Sequence, residues 1–399
     1  MKVGAVELTT GATSDTIRLQ ANVCYQDGSR EQIWFDFPER LSSSVSLTAD
    51  PWIVALAPIS MLLGEPLETE LTADSRLVCG LHRVAKIWRY WFPALSPLQL
   101  VVTSEEREGS RSGSTASLFS GGIDSWYTVL RNADDAAKGI PPALDSLLFI
   151  WGADVRLDRP DAFEALRGRL QEVADRLQLR LVSAATNLRL TRWRQTDWAL
   201  HSHGAFFASV IHASGAFVRC LIPSSVSYSS GRAWGSHPLT DPLLSTSRTE
   251  LVYDGAETDR IHKTARVIQS ELALSTLRVC WRSGTDQNCG KCEKCLRTMV
   301  SLETAGVLQR ATTFPARTVD LRLVRRLLVT KAHDYRRLRH MSAEALRVGR
   351  KDLSRALDHA YHRSARLQPV LQALTRLDQA GIRGATRLGS WLEGDSIRP

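Results

Sequence analysis

No run of eighteen consecutive apolar residues occurs in the 399-residue chain, so no bilayer-spanning helix is predicted. The opening MKVGAVELTTGATSD lacks the charged-then-apolar pattern of a secretory leader, and a cytoplasmic location is expected. Cysteine is sparse: seven residues, an odd number, which without a leader argues against a disulfide framework. Internal repeats and low-complexity tracts are missing, which removes solenoid and fibrous architectures. What remains is a globular balance of 43% hydrophobic and 23% charged residues, enough for a sizeable core in two or three domains. The net charge of +9 is unevenly placed. Residues 310–399 hold 19 Lys+Arg against 8 Asp+Glu, an excess of eleven, so the rest of the chain carries −2. Such a basic segment suits a polyanion, nucleic acid included, or an acidic partner; a solvated set of arginine-rich helices is the alternative.

Three regions follow from pattern. In residues 1–106, VGAVELTT, TIRLQANVCYQ and EQIWFDF read as strands, with a DGS turn between the last two. RLVCGLHRVAKIWRYWF reads as a helix, with Leu77, Leu81, Val84, Ile87, Trp88 and Trp91 spaced by threes and fours. This predicts a small β-rich N-terminal domain with one helix. EREGSRSGST is a polar connector. From 115 to 303, apolar strands (ASLF, LDSLLFIWG, LRLVSAAT, AFVRCLIPSSV) alternate with helical stretches, which predicts an α/β domain with a parallel sheet and flanking helices. Residues 304–399 read as a basic helical extension without strands.

The stretch Ser120-Gly121-Gly122-Ile123-Asp124-Ser125 lies between a predicted strand and a predicted helix. Two glycines let successive main-chain N–H groups close on an anion, and the following helix adds the positive end of its dipole. Asp124 is a candidate Mg²⁺ ligand beside bound phosphates. The Walker spacing and the GxGxxG spacing are both absent from this stretch. Downstream, Cys280, Cys289, Cys292 and Cys295 crowd into sixteen residues, with Gly290 in the turn. Four thiolates can close a tetrahedron around Zn²⁺ and leave no open position, which predicts a structural site; an iron–sulfur cluster is the alternative. Cys24, Cys79 and Cys220 lie in apolar contexts and are expected in the core.

The SGGxDS loop resembles the pyrophosphate loop of the N-type ATP pyrophosphatase superfamily, whose members transfer AMP to a substrate oxygen and release pyrophosphate. Taken with a CxnCGxCxxC array about 155 residues later, the chain is similar to the 7-cyano-7-deazaguanine synthase (QueC) family. Pro242–Val252 (PLLSTSRTELV) looks like that family's PLIxLSKAEIV segment, with Arg248 where lysine is usual. Tyr228-Ser229-Ser230-Gly231, Arg297 and Glu303–Gly306 also match. The resemblance covers roughly residues 115–306. It implies an adenine nucleotide alpha hydrolase-like fold, ATP and Mg²⁺, structural Zn²⁺, and adenylation of a deazaguanine-like carboxylate that then passes to ammonia or an amine. Related proteins with added domains occur in antiphage defence, which implies a protein partner as acceptor, docked on the terminal extensions.

On this reading Ser120, Gly121, Gly122, Ile123, Asp124 and Ser125 hold the pyrophosphate, and Arg248 and Lys263 balance its charge. Trp151, Gly152, Ala185, Thr186 and Asn187, at the ends of two strands, are candidate adenosine neighbours. Tyr228, Arg232, Trp234, His237 and Asp241 are candidates for the acyl pocket. His201, His203, Trp193 and Trp198 are expected to pack. Two other functions stay open: a tRNA-modifying enzyme using the same loop, and a nucleotide-binding scaffold without turnover.

Overall fold

The computed structural model describes residues 1–379 apart from 12, 14, 110–112, 141, 142, 283, 284 and 331. Part of the expected connector (110–112) and the end of the basic extension (380–399) lie outside the described residues. The chain divides into two compact units, Met1–Asp286 and Gln287–Pro399.

The first unit is built on one ten-stranded sheet. Its strands are β1 (Lys2–Thr10), β2 (Thr16–Cys24), β3 (Arg30–Pro38), β4 (Leu67–Asp74), β5 (Leu100–Glu105), β6 (Ser114–Leu118), β7 (Ser146–Trp151), β8 (Arg180–Thr186), β9 (Phe217–Pro223) and β10 (Glu250–Asp254). Their order across the sheet is β10-β9-β6-β7-β8-β3-β2-β1-β4-β5. The five strands from β10 to β8 run parallel. β3 joins β8 antiparallel through Phe35↔Thr186 and Asp36↔Ala185, and β1–β3 form an antiparallel meander. Residues 1–106 and 115–254 therefore share one sheet. The joint is reinforced by Asn187, whose Oδ1 accepts the Trp34 N–H at 3.0 Å and whose Nδ2 donates to Gln32 O at 2.8 Å.

Helices α1 (Asp50–Leu63), α2 (Ser75–Trp91), α3 (Ile123–Ala137), α4 (Pro160–Arg176), α5 (His203–Ser214), α6 (Arg260–Val267) and α7 (Glu271–Thr276) flank this sheet. The N-terminal region holds two helices, not one. α1 (DPWIVALAPISMLL) is buried at twelve positions, so it carries no polar stripe by which its period could be read. α2 has that stripe, and Asp74 caps it by accepting the Arg76 and Leu77 N–H groups. One large core joins Phe35, Phe37, Trp52, Trp88, Trp193 and Phe206 with the apolar faces of the parallel strands. Trp193 is buried there and donates to Ala55 O, as expected of a packing residue. Trp198, His201 and His203 also sit in aromatic contacts, with Phe206, Phe92 and Phe207 respectively. Cys220 is buried and Cys24 half-buried, but Cys79 is exposed, on the outer face of α2.

The second unit contains α8 (Glu293–Thr304), α9 (Leu321–Arg326), α10 (Ala332–Arg347) and α11 (Lys351–Gln379) and, among the described residues, no strand. Among the described residues no helix is long and apolar enough to cross a membrane.

Candidate functional site

The parallel strands leave β6 in opposite directions: the chain runs β6-β7-β8 to one side, then returns to place β9 and β10 on the other. The topological switch therefore lies between β6 and β9. Ligands of open α/β sheets bind in the crevice outside the carboxyl ends of strands at such a point. Ser120–Ser125 leads from β6 into α3 at that crevice.

The loop is fixed from both sides. Phe119 N–H donates to Leu148 O at 2.8 Å, and Arg278 N–H donates to Gly121 O at 2.8 Å. Gly121 has φ +75°, a left-handed conformation open to glycine and resisted by other residues. Gly122 precedes the helix with extended backbone, and Ser125 Oγ donates back to Gly122 O at 3.0 Å. The first N–H groups of α3 are consequently presented toward the bend, where a helix terminus favours an anion.

Asp124, in the first turn of α3, pairs with Arg260 and lies 3.7 Å from Lys263 Nζ. Both cations come from α6, which follows β10 and is capped by Asp259. Lys263 is 3% exposed. Its ammonium donates to the carbonyl and hydroxyl of Ser224, just beyond β9. Burial pulls its pKa below the usual lysine value, against the opposing pull of Asp124. Beneath this group Arg131 pairs with Asp254, and burial raises the Asp254 carboxyl. Tyr127 lies under Lys263 with the ammonium 5.5 Å from the ring centre, and burial pushes its phenol up to about 12.

Asp124 and Lys263 thus meet beside the loop, and Arg248 does not. Glu250 is level with Arg219, which is level with Thr115 at the start of β6. Arg248 precedes Glu250, whereas Ser120 follows Leu118. The two stand at opposite edges of the sheet, roughly 20 Å apart along the strands. The neighbouring Ser247 N–H is held there by Asp74 Oδ2 at 3.0 Å. Arg248 is exposed and out of reach of the loop. Arg260 occupies the place expected of it; its spacing of three from Lys263 on a helix capped by Asp259 is the signal that could have found it.

Trp151 ends β7 at the same edge as the loop. It stacks on Phe163 at 4.4 Å and donates from Nε1 to Arg156 O at 2.9 Å. Thr186 ends β8 but is fully buried, its hydroxyl accepting the Leu188 N–H. β3 covers Ala185 and Thr186, and Asn187 is engaged by β3. The expected strand end is an interior position, because the sheet continues past β8.

Tyr228 lies beyond β9, 65% exposed, its N–H donating to Ala256 O. Arg232 stacks over Trp234 at 4.3 Å. His237 and Asp241 are buried instead of lining an open pocket. His237 packs edge-on against Trp91 at 4.9 Å. Asp241 accepts from Ser236 Oγ at 2.6 Å, His237 N–H at 3.0 Å and Thr240 Oγ1 at 3.1 Å. Burial raises its carboxyl to about 7 despite these bonds.

The four cysteines come together, their sulfurs within 4.8 Å of one another. Lys291 and Cys292 N–H groups donate to Cys289 Sγ, Cys295 N–H to Cys292 Sγ, and Arg282 N–H to Cys280 Sγ. Gly290 takes φ +68° between them, and a Cβ there would meet Pro315 Cγ at 2.7 Å. Thiolates at about 2.3 Å from one zinc ion stand about 3.8 Å apart, so this donor set could hold a metal ion such as zinc. No family model, curated protein or solved structure matches the chain.

Proposed function

We propose that the chain is an ATP-dependent, adenylate-forming enzyme of the N-type ATP pyrophosphatase kind, similar to 7-cyano-7-deazaguanine synthase. It activates a deazaguanine-like carboxylate and passes the acyl group to ammonia or to an amine, on a partner protein in a defence setting. The observation that carries this reading is the left-handed Gly121 bend at the topological switch, with Asp124, Lys263 and Arg260 gathered beside it. In this reading ATP is the co-substrate. The main-chain N–H groups from Gly122 to Ser125 bind the β- and γ-phosphates, and Lys263 and Arg260 balance their charge. The substrate carboxylate attacks the α-phosphorus, pyrophosphate departs, and the amine displaces AMP from the acyl carbon. Asp124 would hold Mg²⁺, which supplies charge neutralisation at the phosphates. For that role Asp124 must exchange its partner Arg260 for the ion, which frees the guanidinium for phosphate. Tyr228 offers an exposed ring for stacking on a flat heterocycle. Zinc at the cysteine group would be structural, since all four positions are protein thiolates.

Pyrophosphate release with ATP, Mg²⁺ and 7-carboxy-7-deazaguanine is the direct test. The wild-type chain is expected to release pyrophosphate and Asp124→Ala to lose it with its fold retained. ATP binding without turnover for every acid and amine tried would leave a scaffold, and RNA-dependent AMP formation would move the reading to tRNA modification.

A further inference from the structure

Ten arginines of the second unit fall into two groups, apart from Arg310 and Arg317 and the exposed Arg336 and Arg339 of α10. Arg297, Arg337, Arg347 and Arg350 each pair with a carboxylate: Asp334 for the first two, Glu344 for the third, Glu303 and Asp352 for the fourth. Arg322, Arg325 and Arg326 on α9 and Arg355, Arg363 and Arg366 on α11 have no carboxylate within 4 Å among the described residues. Five of these six are exposed and Arg363 is half-buried.

They form one face. Arg355, His359, His362 and Arg366 follow at spacings of four, three and four residues, a single stripe along α11. α9 lies against that stripe: Arg363 Nη1 donates to Arg326 O at 3.0 Å, and His359 Nδ1 lies 3.4 Å from Arg325 O. The acids beside them in sequence are committed elsewhere. Asp358 accepts from Ser342 Oγ on α10, Asp352 is held by Arg350, and Asp320 caps α9. Six cations on two adjacent helices without counter-charges repel one another, an arrangement that an external polyanion relieves.

The chemistry of the face selects the polyanion. Between Arg355 and Arg366 no large apolar side chain is exposed among the described residues, which removes the anchor of a membrane-surface helix and the apolar centre of a protein interface. Beyond Lys351 at the start of α11, the fixed cations of this face, on α9 and from Arg355 to Arg366, are all arginine, whose planar fork suits phosphate oxygens. The stripe is about 16 Å long, about five base-pair steps. We propose that this face binds the phosphate backbone of duplex nucleic acid without reading its sequence. The inference does not depend on the chemistry at Ser120–Ser125.

The test is fluorescence anisotropy of the full chain with labelled DNA and RNA duplexes of about 20 base pairs and mixed sequence, between about 50 and 200 mM salt. Binding of at least one duplex is expected, with a slope of log affinity against log salt of about −5 for six contacts. The triple variant Arg325→Ala, Arg355→Ala, Arg366→Ala should melt at the wild-type temperature, lose roughly tenfold or more in affinity at low salt, and flatten the slope by about three. Arg347→Ala, which removes a paired arginine, should change neither. Absence of binding to both duplexes overturns the proposal, as does an unchanged slope in the triple variant. Displacement of duplex by polyglutamate at equal charge would also overturn it, and would assign the face to an acidic protein.

Discussion

Replacing Gly121 by alanine separates what the bend does for the fold from what it does for a bound anion. A Cβ at this position would meet Leu170 Cδ2 at 3.4 Å, Thr276 O at 3.7 Å and Arg278 Cβ at 3.8 Å, all ordinary contacts. No clash opposes the substitution. The cost is therefore conformational: an L-residue held at φ +75° loses about 1–2 kcal/mol. For a unit of this size that lowers the melting temperature by roughly 2–8 °C. The strain can be relieved only if the bend rotates, which turns the N–H groups at the head of α3 away from the anion and breaks the Arg278 N–H bond to Gly121 O. Each misdirected donor to a developing charge costs about 100-fold or more in turnover. Gly121→Ala should thus remain folded by circular dichroism, melt slightly earlier, and lose at least two orders of magnitude in pyrophosphate release. Retention of wild-type turnover with the expected small drop in melting temperature would refute the role given to the main chain here.

Two further outcomes test other parts of the molecule. Asp241 has a folded-state pKa raised to about 7, so the folded state holds its proton over a range where the unfolded chain has lost it. Stability should fall as pH rises from about 4 to about 7 and level off above, by at most about 4 kcal/mol from this group. In urea titrations Asp241→Asn should gain on the wild type between pH 4 and pH 8, and parallel curves would contradict the assignment. Cys292→Ser removes one of four thiolates and should lower zinc content, measured by mass spectrometry of the purified chain, together with the melting temperature; unchanged zinc would remove Cys292 from the donor set.

Local chemistry was legible and long-range placement was not. SGGIDS announced its own bend because two glycines before an amphipathic helix have few other uses, and the cysteine array announced its convergence through spacing alone. Arg248 misled because its neighbourhood matches a motif by composition, while its position is set by Asp74, 173 residues away in sequence, which holds the Ser247 N–H. Thr186 misled for a similar reason: its strand ends where expected, but Phe35 arrives from the far end of the chain to cover it. α1 was invisible because a helix buried on every side has no periodic contrast. Arg260 stands one turn before Lys263, but its partner Asp124 lies 136 residues upstream, so local sequence does not show the pair.

The seam at Asn187 decides how this molecule can be cut. Two residue pairs and one amide side chain close the flank of β8 against β3, and the same side chain satisfies backbone groups on both Gln32 and Trp34. A fragment beginning after residue 106 would strip that cover, leaving a bare row of N–H and C=O groups along a strand rich in aliphatic side chains. Such a flank recruits other chains, so shortened versions should aggregate more readily than the 399-residue chain, and the Ser120–Ser125 loop is best studied with its first hundred residues attached.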